Sequence, residues 1–178
     1  NEQGMKVKEP RFLIKNLVKD RLHNGIWNLE SYQALFNHVV NEKAIGESTV
    51  LYLYYYNEAI KNIKKYLGDD VKIIIMLRNP VDRAFSAYTH VSRSMKELLS
   101  FEEALKIEKN RLENDIVLTP MVMYKNMGLY HDMVKAYIDN FKNIHVIMHE
   151  DFQYNTKQVV KETLAFLGIL RVVELDIH

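Results

Sequence analysis

Val71-Lys72-Ile73-Ile74-Ile75-Met76-Leu77 is a run of β-branched and apolar side chains, and it constrains the fold more than any other stretch. Its length and composition predict a strand buried on both faces, as inside a parallel sheet. Arg78 follows directly. Asn79 is a good helix cap, Pro80 suits a first helical position, and Asp82 sits in the positively polarised first turn. A helix is therefore expected over 80–94, with Val81, Ala84, Phe85 and Tyr88 on one side.

The rest of the chain repeats this alternation. A second buried strand is expected at 144–149. Helices are expected over 30–40, over 58–67 with Asn57 as cap and Gly68 as stop, and over 101–114 behind a Ser100–Glu103 capping box. Two more follow: an amphipathic helix at 128–141, and one from a Thr156 cap to Leu167, closed by Gly168. Arg11–Ile14 reads as an edge strand within an otherwise irregular 1–29, and Ala44–Ile45 as the opening of a short strand. Strands alternating with helices give an α/β domain, a parallel sheet with helices packed over it. Ligands of such sheets bind outside the carboxyl ends of the strands, which directs attention to Arg78.

Composition excludes several alternatives. At 178 residues, one domain is expected. The absence of Cys removes disulfide frameworks, thiolate metal sites and Cys nucleophiles. A net charge of +1 provides no bulk attraction for nucleic acid. No apolar run approaches the ~20 residues that span a bilayer. The seven His show no metal-ligand spacing, so no metal is expected. Gly4, Gly25, Gly46, Gly68, Gly128 and Gly168 are too dispersed to build a glycine-rich phosphate loop.

Arg78 at a strand end, before a helix N-terminus, combines a guanidinium fork with unpaired N–H groups, an arrangement suited to phosphate or sulfate. Ser86, two turns on, would add a hydroxyl. Spacing alone supports equally a local ion pair for Arg78 and a packing role for Ser86. The four tyrosines Tyr52, Tyr54, Tyr55 and Tyr56 read as packing residues first and pocket residues second. Glu47 reads as a site residue or as the partner of a nearby cation. The charged stretch Lys106–Glu113 reads as a solvated helix face.

The segment from Lys72 to Tyr88, with Leu77-Arg78-Asn79-Pro80 and Arg83-Ala84-Phe85-Ser86-Ala87-Tyr88, resembles the 3′-phosphate-binding segment of sulfotransferases. Lys8-Glu9-Pro10-Arg11-Phe12 resembles the KEPxFF element of the carbohydrate-type and bacterial members. Gly46-Glu47-Ser48-Thr49 with Tyr52-Leu53 resembles GExSPxYL. Gly128-Leu129-Tyr130, Val146–Phe152 and Phe166-Leu167-Gly168 match further elements in order.

The resemblance implies a three-layer, nucleotide-kinase-like fold. It also implies sulfuryl transfer from 3′-phosphoadenosine 5′-phosphosulfate (PAPS) to an acceptor hydroxyl on a carbohydrate or glycolipid, with 3′-phosphoadenosine 5′-phosphate (PAP) as product. In this sequence Arg78 and Ser86 would hold the 3′-phosphate and Glu9 would be the base. Lys8 and Arg11, which flank Glu9, would bind an anionic acceptor or only balance its charge. The family's 5′-phosphosulfate loop and its later basic loop have no counterpart here. The chain thus reads as the centre of such a domain, incomplete at both ends: a trimmed piece of a longer protein, consistent with its start at Asn1, or a naturally shortened relative. A cytoplasmic location is expected for a bacterial protein and is left open if an upstream anchor was removed. The alternatives are a nucleotide-binding relic without catalysis and a kinase-like phosphotransferase.

Overall fold

A computed structural model describes residues 7–114 and 120–169. A 3₁₀ turn at Phe12–Ile14 leads into α1 (Lys15–Val18), α2 (Leu29–Ala34), α3 (Leu51–Tyr54) and α4 (Tyr56–Leu67). Strand β1 (Lys72–Leu77) precedes α5 (Pro80–Arg93) and α6 (Phe101–Asn114). Short 3₁₀ turns at Pro120–Val122 and Asn126–Gly128 lead to α7 (Tyr130–Asn140) and β2 (Asn143–Met148), and α8 (His149–Tyr154) and α9 (Thr156–Leu167) complete the order.

Among the described residues the sheet is the parallel pair β1–β2, with Ile73 opposite Ile144 and Ile75 opposite Val146. Strand alternation puts Ile73, Ile75 and Ile144 on one face. They pack there in one apolar cluster with Ile60 and Ile63 of α4 and with Tyr137 and Phe141 at the end of α7. The other face meets α9, where His145 stacks on Phe166 and its Nε2 lies 3.1 Å from the Thr163 hydroxyl. Helices on both faces of a parallel sheet make the three-layer α/β arrangement that the alternation predicted. Burial of β1 is one-sided, however. Ile75 is buried, whereas Ile74 and Met76 on the opposite face are 42% and 49% exposed.

The start of α5 follows the sequence closely. Asn79 Oδ1 accepts from the Val81 amide at 2.9 Å, and Pro80 occupies the first turn. The Ser100–Glu103 capping box is also formed, with Glu103 Oε2 accepting from the Ser100 amide at 2.9 Å and from its hydroxyl at 2.7 Å.

Several expectations are corrected. Arg11–Ile14 is not an edge strand. Arg11 takes a left-handed backbone conformation (φ 56°) and starts a 3₁₀ turn whose Phe12 stacks on Tyr32, 4.4 Å between ring centres. Burial of that ring outweighs the local preference of the segment for strand. No strand forms at Ala44–Ile45, which is exposed and unpaired. The helix expected over 30–40 stops at Ala34, and α4 begins at Tyr56 without a side-chain cap, so Asn57 lies inside it. Thr156 is likewise inside α9, its hydroxyl donating to the Phe152 carbonyl at 2.7 Å. Val81 and Phe85 are exposed.

The stretch Lys106–Glu113 is not simply a solvated face. Glu108 is buried and accepts the Lys125 and Asn126 amides at 2.8 and 2.6 Å, and Arg111 pairs with the buried Glu97.

Candidate functional site

Two cavities flank the short stretch Glu47–Val50. The first, about 280 Å³, lies at the carboxyl end of β1 and is lined by Val50, Arg78, Arg83, Ser86, His90 and Met127 among others. The cap at Asn79 turns the chain from strand to helix immediately after Arg78, which places the guanidinium beside the first turns of α5. Residues 83, 86 and 90 then recur at helical spacing and present one face to the same space. Arg78 and Ser86 therefore share a cavity. None of the ion pairs among the described residues uses Arg78 or Arg83. The amides at the start of α5, expected to be free, are not: Asn79 Oδ1 takes those of Val81 and Asp82, and Glu150 takes that of Asn79. Two guanidinium groups without carboxylate partners among the described residues, beside a hydroxyl, still suit a phosphate-like anion.

Supporting residues hold this wall. Gly128 abuts the start of α5, where a Cβ would stand 3.1 Å from the Pro80 Cβ, a tight contact that a larger residue would keep only by shifting the proline. Tyr130 lies against the backbone N–H of Arg78. Burial raises the Tyr130 pKa, and the Arg83 and Arg78 charges oppose that rise. Glu150, at the end of β2, accepts the Asn79 amide at 2.8 Å, and this hydrogen bond leads the causes that lower its pKa. Glu150 thus ties the two strand ends together. Among the described residues no group of His, Asp and Glu could hold a metal ion.

The second cavity, about 270 Å³, is lined by Lys8, Phe36, His38, Val39, Glu47 and Ser48 among others. Its walls come from three segments, at 7–10, 35–39 and 45–48, and the first and last are joined by the Arg11 amide donating to Thr49 Oγ1 at 3.1 Å. The Leu13 amide also donates to the Tyr52 hydroxyl at 3.4 Å. Among the described residues Glu47 pairs with no cation. Its Oε1 accepts from the Tyr52 hydroxyl at 2.7 Å and the Tyr32 hydroxyl at 3.2 Å, while Oε2 is buried with no partner among them. Burial raises its pKa against those two hydrogen bonds, and the charge of Glu9 adds to the rise.

Glu9 is half-buried and pairs with Arg11, Oε2 to Nη2 3.1 Å. Arg11 also donates through Nη1 to the Asn24 carbonyl. Of the residues expected to contact an acceptor, Lys8 lines the second cavity, whereas Arg11 is turned onto Glu9. Sequence reading missed Arg83 as a lining residue; of the two readings it left open for Glu47, site residue or partner of a cation, the cavity favours the first. The signal for Arg83 was present, because it shares a helix face with Ser86 at i, i+3.

A parallel α/β sheet with an anion-suited cavity at the carboxyl end of a strand, beside a second cavity lined by a buried carboxylate, defines a group-transfer class of protein. The sulfotransferase-domain family matches residues 23–176. The crystal structure of a sulfotransferase from Alicyclobacillus acidocaldarius superposes with a TM-score of 0.81 at 34% identity, covering 96% of this chain and 74% of that one. Comparison with curated proteins finds no match. The chain belongs to the sulfotransferase family. Among the described residues no helix is long and apolar enough to cross a membrane.

Proposed function

We propose that this domain binds PAPS in the cavity at the end of β1 and passes its sulfuryl group to an acceptor hydroxyl in the cavity beside Glu47, the acceptor being a carbohydrate or glycolipid. The observation that carries this reading is the shared cavity of Arg78 and Ser86. Arg78 would grip the 3′-phosphate with its fork and Ser86 would donate its hydroxyl to the same group. PAPS supplies the activated sulfuryl group. Glu9, oriented by Arg11, would accept the proton of the acceptor hydroxyl, and Lys8 and the free oxygen of Glu47 would hold the acceptor's polar groups. The carbohydrate preference rests on the KEP and GExS elements and on a cavity that combines Lys8, His38, Glu47 and Ser48 with the apolar Phe36 and Val39.

The test is PAP binding by calorimetry. Arg78→Ala is expected to weaken it by roughly 1.5–3 kcal/mol, the worth of charge-assisted hydrogen bonds. That is about 10- to 100-fold in Kd. Unchanged affinity would remove Arg78 from the donor site. Thermal protection by ATP and not by PAP would point to a phosphotransferase instead.

A further inference from the structure

We infer that Arg83 is a second anion-binding arm of the donor cavity, joining Arg78 on the 3′-phosphate and setting preference for 3′-phosphorylated nucleotides. The inference rests on the donor-site reading above and adds a residue to it.

The argument begins with the unmet needs of this guanidinium. Arg83 is half-buried and lines the cavity with Arg78, Ser86 and His90. A guanidinium carries five N–H donors. One nitrogen, Nη2, donates to the Tyr124 carbonyl, and Nε is buried with no partner among the described residues. A cation removed from water without a counter-ion is unfavourable unless a ligand completes it. The carboxylate nearest in influence is Glu108. It is already engaged by the Lys125 and Asn126 amides and forms no ion pair with Arg83. Burial lowers the Arg83 pKa, with Tyr130 and Glu108 opposing, which is the signature of a charge short of compensation.

Position adds a second argument. The Tyr124 carbonyl holds the guanidinium through Nη2. Tyr124 is itself fully buried and hydrogen-bonded to Glu97 at 3.1 Å. The segment that carries this carbonyl is thus anchored at Tyr124 by Glu97 and at Lys125 and Asn126 by Glu108. Such an arm is oriented before any ligand arrives, and little conformational freedom is lost on binding. A phosphate dianion between two forks is matched in charge, which one fork alone does not achieve.

The experiment compares PAP with adenosine 5′-monophosphate, which lacks the 3′-phosphate, by calorimetry on wild type, Arg83→Gln and Arg83→Lys. The expected result is a loss of at least tenfold in PAP affinity for Arg83→Gln, with affinity for the monophosphate changed less than twofold. Arg83→Lys keeps the charge without the fork and should fall between. An equal loss for both nucleotides would mean that Arg83 serves only packing, and would overturn the inference, as would an unchanged PAP affinity. Should Arg83→Gln not fold, the ratio of the two affinities in Arg83→Lys decides in the same way. Failure of wild type to bind PAP would overturn the donor-site reading itself, and this inference with it.

Discussion

Glu9→Gln is expected to lower turnover by about 100-fold or more while leaving PAP affinity within about twofold. A positioned general base contributes about 10²–10⁴ in rate, and the amide cannot accept the proton. The side chain has the bearing of a positioned group. Its carboxylate is half-buried and held by Arg11 at 3.1 Å, and Arg11 is fixed in turn by the Asn24 carbonyl and the Thr49 hydroxyl. Donor affinity should survive because Glu9 does not line the cavity that holds Arg78 and Ser86. The check is kcat with PAPS and a hydroxyl acceptor, set beside PAP affinity by calorimetry. Normal turnover would take Glu9 out of the mechanism, and a parallel loss of PAP affinity would make its role one of folding.

Arg111→Met is expected to destabilise the fold by about 3–5 kcal/mol, the cost of stranding one member of a buried ion pair. The Glu97 side chain is 2% exposed. It receives both Arg111 terminal nitrogens, at 2.6 and 3.0 Å, together with the Tyr124 hydroxyl and the Leu99 amide. The Arg111 hydrogen bond is the first cause holding Glu97 below the ordinary carboxylate range. The sign of the pH effect follows. In wild type, the pair's contribution is complete above the unfolded carboxylate pKa of about 4.3 and is lost as pH falls through the lower folded value. Without the cation, burial pushes Glu97 the other way, so acid relieves the variant while it weakens wild type. Denaturant titrations should show the largest difference near pH 7 and a shrinking one below about pH 4. A difference independent of pH would mean that the lost stability is packing alone.

Much of the cavity at the end of β1 could be read from sequence because its signals are local. An apolar β-branched run, an Asn cap, a Pro and a Ser two turns later lie within 17 residues and depend on few distant contacts. The acceptor side was harder. Glu9 and Glu47 were visible as motif residues, yet nothing in the sequence indicates that Arg11 abandons an extended backbone, folds back on Glu9 and accepts strain so that Phe12 reaches Tyr32. The buried role of Glu108 and Arg111 was hidden for the same reason. Their partners, Glu97 and residues 125–126, come from other segments, and a helix carrying so many charges reads as solvated until those partners are in place. Strand β1 was assigned correctly while its burial was overestimated, since composition reports that a face is apolar and not what lies against it.

The partition formed by Glu47–Val50 has a consequence for how such a domain diversifies. One side of it bounds the space next to Lys8, and Val50 on the other bounds the space next to Arg78. Thr49 stands between them, buried, with its hydroxyl stitched to the Arg11 backbone. Remodelling this stretch disturbs the pockets on both sides of it. New specificity is therefore reached at lower cost by altering the far rim, at Phe36, His38 and Val39, which borders one compartment and not its neighbour.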